Sequence, residues 1–358
     1  MPQSVVLSID AMGGDVGPAV VVPGVALAAS RMRGRDVRFL LHGDGARIEA
    51  ELARCPDARA VSEVRHTDQV IASDAKPAQV LRRSKGTSLY NAIEAIRAGQ
   101  AKAAVSAGNT GALMAVGKLI LRTIDGLDRP AIAARWPTSR GYTVVLDVGA
   151  NVTSDAAQLV DFAIMGEAFH RAVYGTARPT VGLLNVGSED IKGHEEVREA
   201  HKLLRQGGLD LDYRGFVEGD GLAKGTTDVV VTDGFTGNIA LKTAEGMARF
   251  FGALLRETLT SDLQAKIGAA IATPALRRMR ARIDPATVNG GPLLGLNGLV
   301  VKSHGGADAK GFANAIRVAA DLAFSDFHAE VDRNMQRLSA VLDAAEASTP
   351  VEASAQAC

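Results

Sequence analysis

Cysteine is nearly missing from this chain. Two occur in 358 residues, Cys55 beside Pro56 and Cys358 at the last position, so neither a disulfide framework nor a metal-ligand spacing can be built from them. A reduced, cytoplasmic setting fits that usage best. Net charge is missing too. Lys plus Arg and Asp plus Glu number 40 each, which leaves no global field to gather nucleic acid or an anionic membrane. Any charged partner has to be met by a local patch. No apolar run approaches the roughly 20 residues that span a bilayer, and the longest candidate, 20–29, is broken by Pro23 and Gly24. The start of the chain enters strand pattern at once, without the ordered basic, apolar and small-residue segments of a secretory leader.

Familiar catalytic signatures are also lacking. HGDGARI (42–48) has no third glycine for GxGxxG, and GALMAVGKL (111–119) has one residue too many and Leu where a P-loop needs Ser or Thr. His194 and His201 bracket HEEVREAH, but a separation of seven is not the one-turn spacing of a zinc helix. There is no GxSxG elbow, and Cys55 lies in a charged, Pro-broken segment without strand-to-helix context. Neither a zinc site at that helix nor a covalent acyl-enzyme is therefore the first reading.

What is present is one pattern, repeated six times. Apolar strand runs stop in Gly-rich polar turns that open into helices: VVLSIDAMGGDVG (5–17), AAVSAGNTGALMAVGKLIL (103–121), VVLDVGANV (144–152), VGLLNVGSEDIKG (181–193), VVVTDGFTGNIALKTAEG (229–246) and LVVKSHGGADAKG (299–311). In open parallel α/β sheets, ligands bind beyond the carboxyl ends of the strands, so six furnished strand ends predict one cleft. The turn at 234–238 is expected to hold an anion at a helix N-terminus. Candidate chemistry falls on Asn109, Thr110, Asn185, Lys192, Asp233, Lys302 and His304. Asp10, Gly13, Gly14, Gly108, Gly111, Gly234, Phe235, Thr236, Gly237, Asn238, Ser303 and Gly305 are expected to line the substrate. Asp10 and Asp147 serve equally well as turn formers, and Asn151 and Asn185 as binders of loop backbone. Lys242, inside the helix after Asn238, reads as a snorkelling surface lysine.

The alternation of strand and helix predicts an α/β fold, a mostly parallel sheet covered on both faces, as a single catalytic domain over 1–345. From about 247 to 284 the strand signal stops and a helical hairpin is expected. Leu255, Leu259, Leu263, Ile267 and Ile271 form one stripe, Pro274 permits a break, and a second helix sets Leu276, Met279 and Ile283 opposite Arg277, Arg278, Arg280 and Arg282. A last helix is expected over 313–345, followed by a disordered tail at 346–358.

The blocks IDAMGGDVGP, SAGNTGALMA, LDVGANV, LLNVGSEDIKG, VVVTDGFTGN and GLVVKSHGGAD, collinear from residue 9 to 308, closely resemble the PlsX-type phosphate acyltransferases. The resemblance implies a homodimer with an isocitrate/isopropylmalate dehydrogenase-like, three-layer α/β/α fold. It implies reversible transfer of a long acyl group from acyl carrier protein to inorganic phosphate, with no cofactor or metal. The product would pass to a membrane glycerol-3-phosphate acyltransferase for phospholipid synthesis. On that footing Lys192, Lys302 and His304 bind phosphate with the 234–238 turn, Asn109 and Thr110 address the thioester oxygen, and Asp233 orients a cation or accepts a proton. Arg277, Arg278, Arg280 and Arg282 suit an acidic carrier protein or the anionic cytoplasmic leaflet, and equally a solvated face over a dimer contact. The apolar stripe suits dimer packing, a bed for the acyl chain, or shallow peripheral membrane contact.

Three rivals stay in view: a phosphate acetyltransferase using short acyl-CoA, a nicotinamide-linked hydroxyacid dehydrogenase of the same fold, and a non-catalytic docking scaffold. The dehydrogenase is disfavoured by the missing glycine fingerprint and acidic metal cluster. A scaffold has no need of six polar strand ends.

Overall fold

The structure is a computed structural model that describes residues 4–333 apart from 73, 76, 207, 208, 284–287, 326, 328 and 332; the expected tail at 346–358 lies outside the described residues. Among the described residues twelve strands run in chain order as β1 (Val5–Asp10), β2 (Val37–Gly43), β3 (Ser62–His66), β4 (Ala103–Ser106), β5 (Ala131–Ile132), β6 (Ala134–Thr138), β7 (Gly141–Leu146), β8 (Thr180–Leu184), β9 (Asp212–Val217), β10 (Val229–Val231), β11 (Gly291–Leu294) and β12 (Leu299–Lys302). The expected α/β architecture with mostly parallel pairing is what the chain adopts, but the strands are divided between two sheets. The larger has the order β3-β2-β1-β4-β12-β11-β5 and the smaller β6-β7-β10-β8-β9. In the larger, only β11 runs against its neighbours, and in the smaller only β6 does.

The chain crosses between the sheets at Ala133. Ile132 pairs with Leu293 of the larger sheet, and Ala134 pairs with Val145 of the smaller. Central strands such as β1, β4 and β10 are apolar along nearly their whole length because both faces are covered, as parallel strands require. Helices Pro18–Arg31 and Ala309–Ala323 pack together on one face of the larger sheet, with Ser88–Arg97 and Thr110–Leu121 paired with each other. One apolar core joins the two sheets: Leu7, Ile9 and Phe39 belong to the same buried cluster as Leu146, Phe162, Val181 and Val229.

The hairpin differs from expectation in two respects. Its first helix, Gly234–Leu259, starts at the strand-end turn itself, and the break falls at 260–262 rather than at Pro274, which sits inside Leu263–Ile283. Polar side chains decide this. Thr260 Oγ1 donates to Arg256 O (2.8 Å), Ser261 Oγ to Thr258 O (3.0 Å), and Asp262 Oδ1 accepts from Ala265 N (2.8 Å), ending one helix and capping the next. The leucine stripe is thereby split between two helices. Leu254, Leu255, Leu263, Ile267 and Ile271 are all exposed.

The C-terminal helix begins at Ala309, capped by Asp308 Oδ1 on Gly311 N (2.8 Å), and ends at Ala323 rather than continuing. Ser325 interrupts it: its hydroxyl donates to Leu322 O (2.8 Å) and accepts from Phe327 N (3.4 Å). The part of the expected helix beyond 333 lies outside the described residues. Among the described residues, no helix is long and apolar enough to cross a membrane.

Candidate active site

β1, β4 and β12 are neighbours and parallel, so Asp10, Ser106 and Lys302 finish side by side. Asp10 is buried. Ser106 Oγ donates to its Oδ2 (2.7 Å) and Met12 N to its Oδ1 (3.3 Å), while Gly108 N donates to Ser106 Oγ (3.0 Å). Burial pushes the Asp10 carboxyl above its ordinary range, against the pull of hydrogen bonds from Ser106, Ser88, Met12 and Gly13. A side chain at Gly13 would place its Cβ 2.7 Å from both Asp10 Oδ2 and Gly108 N. Asp15 N donates to Gly305 O (3.0 Å), and Gly14 adopts φ 88° against that same carbonyl. Asp10 therefore ties together the glycine turns after β1 and β4, with Asp15 N linking them to the third at Gly305, which is the turn-forming reading of Asp10.

On that platform three cationic or donor groups converge. The Lys302 ammonium approaches Ala107 O (3.5 Å) and Ser303 O. Burial, reinforced by the charge of Lys242, pulls its pKa down to about 8 against the opposing carboxylates of Asp15 and Asp10. His304 N donates to Asn289 Oδ1 (2.9 Å), and its ring Nδ1 accepts from Gly306 N (3.1 Å). That bond puts the proton of the neutral ring on Nε2, which lies 3.3 Å from Lys242 Nζ. Burial and then Lys242 lower the His304 pKa, so the ring is neutral near pH 7. Two donors facing each other at that distance lack an acceptor between them, and an oxyanion supplies one. Glu245 is the salt-bridge partner of Lys242 at 2.9 Å.

Lys242 is exposed, as the surface reading has it, but the helix Gly234–Leu259 also carries it from the smaller sheet to the turn after β12, where it meets His304. Asn289 was also missed. Its amide donates to Ser303 Oγ (2.8 Å) and Gly311 O (2.8 Å) while its oxygen holds His304 N, so it fixes the whole turn. The Ser303 side chain, expected toward substrate, points inward and is fully buried.

The turn at 234–238 is built for packing. Asp233 is the N-cap, with Oδ1 accepting from Thr236 N (2.8 Å) and Oδ2 from Thr236 Oγ1 (2.7 Å), so a carboxylate already occupies the position expected for an anion. A Cβ at Gly234 would come 2.3 Å from Asn151 O, and one at Gly237 2.0 Å from Asp147 O. Both glycines let the helix start lie directly on the loop after β7. Asp147 is fully buried and accepts from the backbone N–H groups of Ile132, Gly149, Ala150 and Asn151; it too is a turn former, and burial raises its pKa. Asn238 completes the seam by donating to Val148 O (3.2 Å). Phe235 stays exposed.

Asn109 caps helix Thr110–Leu121 through its Oδ1 on Ala112 N (2.8 Å), with Thr110 and Gly111 in the first turn, half-buried. Asn185 and Lys192 are tied to each other, the amide donating to Lys192 O (3.1 Å), so this pair closes its own loop; the Lys192 side chain is exposed. Arg277 and Arg278 are exposed on the hairpin, and the side chains of Arg280 and Arg282 lie outside the described residues. His201, weighed as a metal ligand, stacks on Phe216 and meets Tyr213 Oη at 2.7 Å as a buried core histidine.

A family model described as "Fatty acid synthesis protein" matches residues 5–330. The chain is 68% identical over 340 residues to a phosphate acyltransferase of Caulobacter vibrioides, covering 95% of this chain and 94% of the relative. It is 61% identical to a phosphate acyltransferase of Phenylobacterium zucineum, covering 99% of this chain and all of that protein (100%). Among solved structures, EutD phosphotransacetylase from Staphylococcus aureus aligns with a TM-score of 0.59 at 17% identity, covering 90% of this chain and 95% of its own. A phosphotransacetylase from Streptococcus pyogenes aligns at 0.60 and 16%, covering 89% and 94%. These structures share the fold. With a family model matching residues 5–330 and this degree of identity across nearly the whole chain, the protein belongs to the PlsX-type phosphate acyltransferase family and is an acyltransferase.

Proposed function

We propose that this chain reversibly transfers a long-chain fatty acyl group from acyl carrier protein to inorganic phosphate, giving an acyl phosphate for phospholipid synthesis. The observation that carries the reading is the approach of Lys242 to His304 beside the half-buried Lys302. Phosphate is a nucleophile at neutral pH, and a thiolate leaves readily because its conjugate thiol has a pKa of about 8.5. The protein's work is to desolvate, hold and orient the anion and to stabilise the carbonyl oxygen as charge develops on it.

In this scheme Lys302, Lys242 and the His304 Nε2–H hold phosphate. One phosphate oxygen attacks the thioester carbon, a C–O bond forms, and the oxyanion faces the N-terminal turn of helix Thr110–Leu121 at Asn109 and Thr110. Collapse breaks the C–S bond, and the carrier leaves as thiolate and takes a proton from solvent. Asp10 and Asp233 act by holding the turns in register. The acidic carrier docks against Arg277 and Arg278, and a membrane glycerol-3-phosphate acyltransferase consumes the product. The exposed hairpin gives a homodimer contact or a peripheral membrane contact to an otherwise cytoplasmic enzyme.

The test is incubation with palmitoyl acyl carrier protein and phosphate, trapping acyl phosphate with hydroxylamine while following release of the carrier thiol. Phosphate-dependent hydroxamate is the expected result. Product from acetyl-CoA alone would move the assignment to a short-chain enzyme, and carrier binding without product to a scaffold.

A further inference from the structure

The helix that delivers Lys242 also carries an exposed apolar face that the reaction scheme leaves unused. Phe235, Ile239 and Lys242 stand at i, i+4 and i+7, one stripe of the helix. Phe235 is 60% exposed and Ile239 50%, although both sit at the carboxyl ends of the strands and not out on the hairpin. The neighbouring loop adds a third apolar side chain. Gly234 abuts Asn151, and the next residue in that loop, Val152, is 72% exposed. Large apolar side chains exposed together at the mouth of a polar cleft mark a binding surface.

We infer that Ile239, Phe235 and Val152 form the subsite for the acyl chain, which runs from the phosphate end at Lys242 toward the start of the helix. The inference rests on the reading above and names the part of the substrate this face takes. Its basis is complementarity within one stripe: a cation that meets His304 at one end, apolar side chains over the next two turns, and no charged residue between them at positions 235–241. The ligand that matches is amphipathic, with an anionic head and an aliphatic tail, as an acyl phosphate has. The opposite direction along the same helix leads past Gly246 to Phe250 on the hairpin, away from the strand ends. Each methylene removed from water strengthens binding about fourfold, so chain-length preference is the direct readout.

The experiment uses the full chain in two measurements. Calorimetric binding of decyl phosphate and butyl phosphate should show the wild type favouring decyl phosphate at least tenfold, with Ile239→Gln and Phe235→Ser each removing most of that preference and leaving butyl phosphate within twofold. Turnover of palmitoyl and butyryl acyl carrier protein should show the same selective loss for the long chain. Both residues are exposed, so thermal midpoints should match the wild type. Equal losses for both chain lengths, or none, overturn the subsite. So does Phe250→Gln producing the selective loss instead. Dissociation of a dimer by the Phe235 and Ile239 variants with chain preference intact would make this face an interface between copies. If the wild type turns over neither carrier substrate yet prefers decyl phosphate, the transacylase reading falls and the apolar subsite stands.

Discussion

Lys242 Nζ lies 3.3 Å from His304 Nε2, joining a helix of the smaller sheet to a turn of the larger across 62 residues of sequence. Gly306 N–H holds the other ring nitrogen, so the face that His304 turns toward Lys242 is a donor face. In the proposed scheme this contact is where the phosphate oxygen is held.

Lys242→Met should raise KM for phosphate at least tenfold with a smaller change in KM for the carrier substrate. It should also raise the His304 pKa part of the way toward 6.5, because the charge of Lys242 is the second cause, after burial, that disfavours the imidazolium. An NMR titration of the His304 ring proton in wild type and variant checks both sign and site; an unchanged or lower value would be evidence against the contact.

Lys302 should set an alkaline limit. With its pKa near 8, the lysine loses charge above that pH, and phosphate KM should climb there. Lys302→Arg should remove this limb while lowering the maximum rate, since a guanidinium stays charged. Stability runs the other way. The unfolded lysine titrates near 10.5, so between about 8 and 10.5 the folded state binds fewer protons and this group's contribution rises with pH. The stability advantage of Lys302→Met over wild type should accordingly shrink across that window in urea titrations.

Two glycine-to-alanine changes in one helix should have opposite signs. Gly252→Ala meets nothing within 4 Å and should stabilise by roughly 0.5–1 kcal/mol, the ordinary helix-propensity gain. Gly237→Ala would press its Cβ to 2.0 Å from Asp147 O and should lower the thermal midpoint and turnover together as the helix and Lys242 shift. Thermal unfolding of the pair separates propensity from packing.

Asp233→Ala should cost about 1 kcal/mol of stability through the lost N-cap, and Asp233→Asn should restore most of it because an amide oxygen caps equally well. Turnover of the Asn variant should remain within tenfold of wild type. A collapse of activity in a stably folded Asp233→Asn protein would return this carboxylate to the chemistry.

The α/β class, the mostly parallel pairing and most of the glycine turns were legible from the chain alone, because strand-length apolar runs ending in Gly-Asn-Thr-Gly or Ser-His-Gly-Gly obey short-range rules of burial and turn geometry. The placement of Lys302 and His304 at a strand end was legible for the same reason, each lying within a few residues of the strand that aims it. Local patterning could not divide the strands between two sheets, since the crossing at Ala133 depends on which partners Ile132 and Ala134 find far along the chain. Nor could it separate the glycines near Lys242, which serve close packing on Asp147 and Asn151, from glycines that would cradle a ligand. Lys242 itself carries the ordinary signature of a surface lysine. Its distance to His304 is a tertiary quantity set by how the helix start docks on the loop after β7, and no spacing within its own segment encodes it.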